Sequence, residues 1–171
     1  RAALAVGAAK TLLSVCHSLT GGTRQMAEAA RAGAVAVAGC AVRWLHAAQA
    51  GPGDVLAADG YVFATPENLA AMSGQLKDFF DRSYYAVLDQ VNGRPYASLV
   101  CAGSDGSNAA RQMARIATGW RLKAVAEPLI VCTHAQTPEA ILAPKQIGDA
   151  DLAHCRALGE ALAAGLALGV F

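Results

Sequence analysis

Short apolar runs alternate along the chain with longer stretches in which apolar residues return every three or four positions. Thr11-Leu12-Leu13-Ser14-Val15-Cys16 is a run of the first kind, closed by a turn signal, and predicts a buried first strand over 11–16. Met26, Ala29, Ala30, Gly33 and Val37 then follow helical spacing and predict a first helix over 23–36, ended by Gly39. Ala41 to His46 predicts a second strand, and Gly51-Pro52-Gly53 breaks the chain before Asp54, which is placed to cap one helical turn at residues 55–58. Asp59 to Ala64 is rich in β-formers and predicts a third strand that runs into the turn signal Thr65-Pro66-Glu67-Asn68.

A long helix is predicted over 73–91, with Ser73 as its cap, Leu76, Phe79, Phe80, Val87, Leu88 and Val91 on one face, and Asn92-Gly93 at its end. Tyr96 to Ala102 predicts a fourth strand. Gly103-Ser104-Asp105-Gly106-Ser107-Asn108 is a glycine-rich turn into a helix whose buried stripe is Met113, Ile116 and Trp120. Val125 to Cys132 contains a fifth strand, with Pro128 placing it at an edge or a bulge. Residues 134–148 carry Pro138, Pro144 and Gly148 and read as loop. Leu152, Cys155, Leu158, Leu162 and Leu166 predict a final helix over 149–168.

Alternating strands and helices predict an α/β fold, a parallel sheet covered on both faces and joined by right-handed crossovers. Such sheets bind ligands outside the carboxyl ends of their strands, where the winding direction reverses. Three turns fall at those ends, 17–23, 65–72 and 103–108, and all are rich in Gly, Ser, Thr, Asn or Pro.

The first turn, His17-Ser18-Leu19-Thr20-Gly21-Gly22-Thr23, has the layout of a phosphate cradle between a strand and a helix. A helix start offers unpaired N–H groups and the positive end of the macrodipole. Gly21 and Gly22 allow close backbone approach, and Ser18, Thr20 and Thr23 add hydroxyl donors. The turn has no lysine, and neither G-x-x-x-x-G-K-[ST] nor G-x-G-x-x-G occurs in it, which argues against nucleoside triphosphate and dinucleotide sites. Neutral donors suit one terminal phosphate held without metal. The same residues also serve as an ordinary turn capping a helix.

With 171 residues, 54% hydrophobic and 16% charged, the chain has enough material for a substantial core, and residues 10–171 read as one domain. Residues 1–9 begin without methionine and read as a trimmed leader or an expression remnant. A formal net charge of +1 gives no preference for nucleic acid or anionic membrane, and the apolar C-terminal stretch is interrupted by Glu160 and too short for a span. Cys16, Cys40, Cys101, Cys132 and Cys155 are odd in number and lack C-x-x-C spacing, so they read as reduced, as in a cytoplasmic protein, with no metal site indicated.

The pattern S-x-T-G-x-T after a first strand resembles the phosphate loop of flavodoxin-like proteins. Asp59 to Pro66, followed by Met72-Ser73-Gly74-Gln75-Leu76-Lys77-Asp78-Phe79-Phe80-Asp81-Arg82, looks most like the NAD(P)H-dependent FMN reductases and the WrbA-type quinone oxidoreductases. The resemblance covers residues 11–168. It implies a flavodoxin-like three-layer αβα sandwich with a five-stranded parallel sheet in the order 2-1-3-4-5. It implies FMN as cofactor, with Ser18, Leu19, Thr20, Gly21, Gly22 and Thr23 on its phosphate. Thr65, Pro66, Glu67, Asn68 and Leu69 would border the ring and ribityl chain, and Gly103, Ser104, Asp105, Gly106 and Ser107 would close the other side.

The activity implied is transfer of hydride from NAD(P)H, as cosubstrate, through FMN to a quinone or similar small acceptor, with no catalytic side chain needed, in a homodimer or homotetramer. A flavodoxin-type electron carrier is the alternative; such carriers are usually strongly acidic, whereas here 14 basic residues balance 13 acidic ones. The chain departs from the WrbA type in lacking an aromatic residue at 67–71 and the insertion that builds a tetramer. Glu67 also brings a negative charge that disfavours the anionic form of a reduced ring. His17 reads as a polar strand-end residue or a catalytic group, His134 as a surface residue or a pocket group, and Asp105 as a flavin contact or a helix cap.

Overall fold

The computed structural model describes residues 9–171, so the reading of 1–9 falls, save for Ala9, outside them. Strands β1 (Lys10–Cys16), β2 (Cys40–His46), β3 (Gly60–Asn68) and β5 (Pro95–Ala102) form a parallel sheet in the order β2-β1-β3-β5. Two short parallel strands, β6 (Lys123–Ala124) and β7 (Leu129–Cys132), pair in succession with the outer edge of β5. Counted as one interrupted strand they give the expected order 2-1-3-4-5. The interruption contains Pro128, which has no N–H for the ladder.

Helices α1 (Gly22–Val35) and α6 (Asp149–Leu168) cover one face of the sheet, while α2 (Pro52–Ala57), α3 (Gly74–Val87) and α4 (Ser107–Gly119) cover the other. The strands serve both faces by simple alternation. Leu13 and Val15 of β1, with Tyr61 and Phe63 of β3, join the α2–α4 core, whereas Leu12 and Cys16, with Val62 and Ala64, join the α1/α6 core. The first core is aromatic: Phe63 meets Phe80 edge-on at 5.0 Å between centroids, and Phe80 meets Trp120 at 5.5 Å. The second is built from small residues. A Cβ on Gly159 would stand 1.8 Å from the Ala30 carbonyl oxygen, and one on Gly33 2.0 Å from that of Arg156, so α1 and α6 touch backbone to backbone.

Several elements differ from the sequence expectation. Strand β3 does not stop at a turn after Ala64; it runs through Thr65-Pro66-Glu67-Asn68 and folds back on β4 (Ala71–Met72) as an antiparallel hairpin. Pro66 is accommodated because the ladder to β1 ends at Ala64. The hairpin turns at Leu69 and Ala70, both left-handed (φ 51° and 60°). Helix α3 ends at Val87 rather than 91, because Leu88 leaves helical geometry and Asp89 takes φ 63°. Asp54 does not cap α2; it lies in the first turn and accepts the Gly51 N–H at 2.9 Å. The expected loop 134–148 contains a short helix, α5 (Pro138–Leu142), capped by the Thr137 hydroxyl.

The backbone contact at Gly159 makes a direct stability prediction. Gly159→Val should lower unfolding stability by about 1–3 kcal/mol through overpacking, read as a lower urea midpoint at unchanged m-value. An unchanged midpoint would show that the helices can separate without cost.

Candidate functional site

The sheet order reverses between β1 and β3, so the connections leaving their carboxyl ends diverge and leave a crevice. A cavity of about 430 Å³ lies there, within the roughly 300–1,000 Å³ range of small-molecule sites. Its walls come from the 17–23 turn, the β3–β4 hairpin, the end of β5 and the segment after β7.

The floor is the β1–α1 junction. Gly21 at the N-cap holds φ 93°, a conformation costly for other residues, and its N–H is turned back to the Ser18 hydroxyl at 3.2 Å. Among the described residues no side chain caps α1. Among the described residues the N–H groups of Ser18, Leu19, Thr20, Gly22, Thr23 and Arg24 donate to no protein acceptor. Thr23, 1% exposed, lines the cavity with a buried hydroxyl oxygen that has no hydrogen-bond partner. A Cβ at Gly22 would reach to 2.6 Å from Cys101 Sγ and 3.3 Å from Lys145 Cβ, so only a glycine keeps the floor open.

The hairpin wall is fastened to α4 by three hydrogen bonds. Gly106 N–H donates to Glu67 Oε2 at 2.7 Å, Asn108 Nδ2 to the Ala70 carbonyl at 2.6 Å, and Met72 N–H to Gln112 Oε1 at 2.9 Å. The Glu67 carboxylate thereby sits against the positive end of α4. Leu69 at the hairpin tip is fully exposed.

The cavity therefore gathers Ser18, Leu19, Thr20, Gly22, Thr23, Pro66, Glu67, Asn68, Leu69, Gly103 and Ser104 from the expected set. The other five stand behind its wall. Gly21 shapes the turn. Thr65 is buried, accepting from Ser73 N–H at 3.0 Å and donating to the Pro66 carbonyl at 2.9 Å. Gly106 is held by Glu67, and Asp105 and Ser107 bond each other, the Ser107 hydroxyl donating at 2.8 Å. His134 is exposed and lies off the cavity wall. His17 has a buried, unpartnered Nδ1; burial first, then the nearby His46, lowers its pKa, so it brings no positive charge to the turn at neutral pH.

Sequence reasoning missed Cys101, Ala102, Thr133, Ala135, Gln136, Ile141 and Lys145, which also line the cavity. The available signal was the rule already applied to the other turns: Thr133 follows another strand end. Among the described residues Lys145 is the one lysine or arginine on the wall, with its ammonium held by the carbonyls of Ala140, Ile141 and Ala143 at 2.7, 2.8 and 2.6 Å. Burial pushes the Cys101 thiol up to about 11, so at neutral pH it is a protonated wall atom and not a thiolate nucleophile. Among the described residues no group of three or more His, Cys, Asp and Glu is placed to hold a metal, and no helix is long and apolar enough to cross a membrane.

The family model described as NADPH-dependent FMN reductase matches residues 48–137. A flavodoxin of Aquifex aeolicus is 33% identical over 93 residues, 54% of this chain and 48% of that one, so the match spans about half the length of that relative. Among solved structures, the flavodoxin, WrbA-like protein from Agrobacterium tumefaciens superposes with TM-score 0.73 at 21% identity, covering 94% of this chain and 99% of that one. A flavodoxin from the domain Archaea gives 0.73 at 18% identity, covering 92% and 98%. The apo form of an NADH:FMN oxidoreductase gives 0.68 at 18%, covering 92% and 90%. These structural likenesses establish a flavodoxin-like fold.

The orphaned Thr23 hydroxyl predicts an unusual stability effect. An unmet buried hydrogen bond costs about 1–3 kcal/mol, so Thr23→Val should raise the stability of the ligand-free protein by about 1 kcal/mol in a urea melt. A loss of stability would mean that the hydroxyl has a partner.

Proposed function

The chain belongs to the NADPH-dependent FMN reductase family, and from that premise we propose an FMN-dependent oxidoreductase that takes reducing equivalents from NAD(P)H and passes them to a quinone-like small molecule. The observation that carries this reading is the β1–α1 junction, where unpaired N–H groups and one buried orphan hydroxyl converge at the floor of the cavity. That donor set is neutral and directional, and it fits a phosphate monoester on a flavin better than a polyphosphate needing metal.

Bound FMN supplies the two-electron redox chemistry. The chain supplies position. Ser18, Leu19, Thr20, Gly22 and Thr23, which line the cavity, would hold the phosphate, and Pro66, Glu67, Asn68 and Leu69 would border the ring, with Gly103 and Ser104 across the cavity from them. The Glu67 charge is offset by the Gly106 N–H and the α4 dipole, which softens its repulsion of a reduced ring. Among the described residues no aromatic side chain lines the cavity, so the hairpin wall of Pro66, Glu67, Asn68 and Leu69 would give a bound ring no stacking partner.

The second reading, a flavodoxin-type electron carrier, draws support from the Aquifex aeolicus relative. With 14 basic and 13 acidic residues the chain carries no net acidic excess to attract a basic redox partner, which favours the enzyme.

Titration with FMN should quench flavin fluorescence and yield a yellow protein. Thr23→Val should weaken that binding about ten- to hundredfold, the loss expected for one hydrogen bond to a charged group. The FMN-loaded protein should oxidise NADH or NADPH when benzoquinone is supplied. Flavin uptake without such turnover would leave the carrier, and absence of uptake would overturn both readings.

A further inference from the structure

We propose that residues 135–147 form a strap over the phosphate end of the cavity, clasped shut by Gln25, and that this clasp governs how long FMN is retained. The inference rests on the FMN reading of the cavity and adds to it a positioning residue and a gate.

Gln25 lies on α1 two residues beyond Thr23, the last residue of this segment on the cavity wall, and its side-chain amide makes three hydrogen bonds at once. Nε2 donates to the Gly21 carbonyl at 3.0 Å and to the Lys145 carbonyl at 2.7 Å, while Oε1 accepts the Ile147 N–H at 3.0 Å. One further bond, from Lys145 N–H to the Thr20 carbonyl at 2.9 Å, lies beside them. Among the described residues the Gln25 bonds to Lys145 and Ile147 and the Lys145 bond to Thr20 are the only hydrogen bonds that join 135–147 to the rest of the chain.

Packing adds little. Residues 136–144 are all exposed, and α5 buries none of its side chains. Ile147, 4% exposed, anchors the far end, and His134 N–H bonds the Gly103 carbonyl at the near end. Between those points the strap is internally stiff, since Lys145 Nζ ties three carbonyls of its own segment, and its docking rests on the Gln25 and Thr20 hydrogen bonds with the Lys145 stem beside Gly22. A segment of that kind opens locally at a small fraction of the global unfolding cost.

Its position makes opening consequential. Ile141 and Lys145 line the main cavity. Leu142 and Pro144 line a second cavity of about 360 Å³, on whose wall Ser18, Leu19 and Thr20 also appear, with Arg24 and His46. The strap and the phosphate turn are thus the partition between the two spaces. Lifting the strap withdraws the Lys145 stem from beside Gly22, and releasing the Gln25 amide frees the Gly21 carbonyl that fixes the turn. The phosphate then faces solvent.

Gln25→Ala tests this. Hydrogen exchange on the flavin-free protein should show amides of 138–147 exchanging at least tenfold faster than in wild type, with α6 and the sheet unchanged. FMN release, followed by fluorescence recovery on dilution, should be about tenfold faster. Lys145→Met, which frees the strap's own carbonyls, should also speed release, and it stands in if Gln25→Ala lacks a cooperative melt. FMN uptake with equal release rates in wild type and variant overturns the retention role alone. Failure of the wild type to take up FMN overturns the cofactor reading and the retention role together. Unchanged exchange over 138–147 overturns the clasp itself.

Discussion

Helix α1 must start only a few residues after β1 ends, and its position is set from its far side. Gly33 and Gly159 bring α1 and α6 into backbone contact, and α6 in turn packs on the sheet through Leu162 and Leu166. The first turn of α1 is therefore held at the crevice between the β1 and β3 connections, with a glycine at its N-cap and no side chain to satisfy its amides. A helix free to slide or fray would find partners for those donors in solvent or in its own loop. This one presents them in a fixed array, and the orphan hydroxyl of Thr23 beside them shows that the arrangement is kept despite its cost to the ligand-free fold.

The two faces of the sheet divide the labour. Interlocking aromatic rings fill the face beneath α3 and α4, and that bulk supports the platform from which the hairpin wall is hung by Glu67, Ala70 and Met72. Small residues on the other face let α1 and α6 approach closely and so bring the phosphate turn up to the end of the sheet. Large side chains thus position one wall of the cavity, and their absence positions the floor.

Much of this is legible in the sequence. Alternating periodicity located the sheet, and hydroxyl and glycine residues at three strand ends located most of the cavity. What stayed hidden depended on contacts between distant parts of the chain. Nothing local in Thr65-Pro66 distinguishes a turn from a strand that continues; the register with Val100 and Cys101 decides it. Leu88 and Val91 continue a helical stripe, yet the chain leaves the helix there to return through Gly93, whose N–H bonds the Arg121 carbonyl. Lys145 and Gln25 are 120 residues apart, and a polar residue inside an amphipathic helix carries no sign that it will bind a loop. Thr65, Asp105 and Ser107 have hydrogen-bonding side chains that the sequence reveals, but not that Thr65 bonds Ser73 N–H and the Pro66 carbonyl or that Asp105 and Ser107 bond each other.

The break between β6 and β7 has a bearing on how much extra chain this architecture tolerates. Among the described residues Ala97 and Ser98 of β5 have no ladder partner on that side, and after Val125, whose N–H still bonds the Tyr96 carbonyl at 3.2 Å, residues 126–128 span the gap midway along the β5 edge, before the strand reaches the crevice. Lengthening a loop adds closure entropy only logarithmically. Additional residues spliced in there would extend a detour the sheet already accommodates, leaving every ladder bond and the whole ligand-facing rim in place. The fold thus carries a port for grafted sequence at a gap in its β5 edge, upstream of the strand end that faces the cavity.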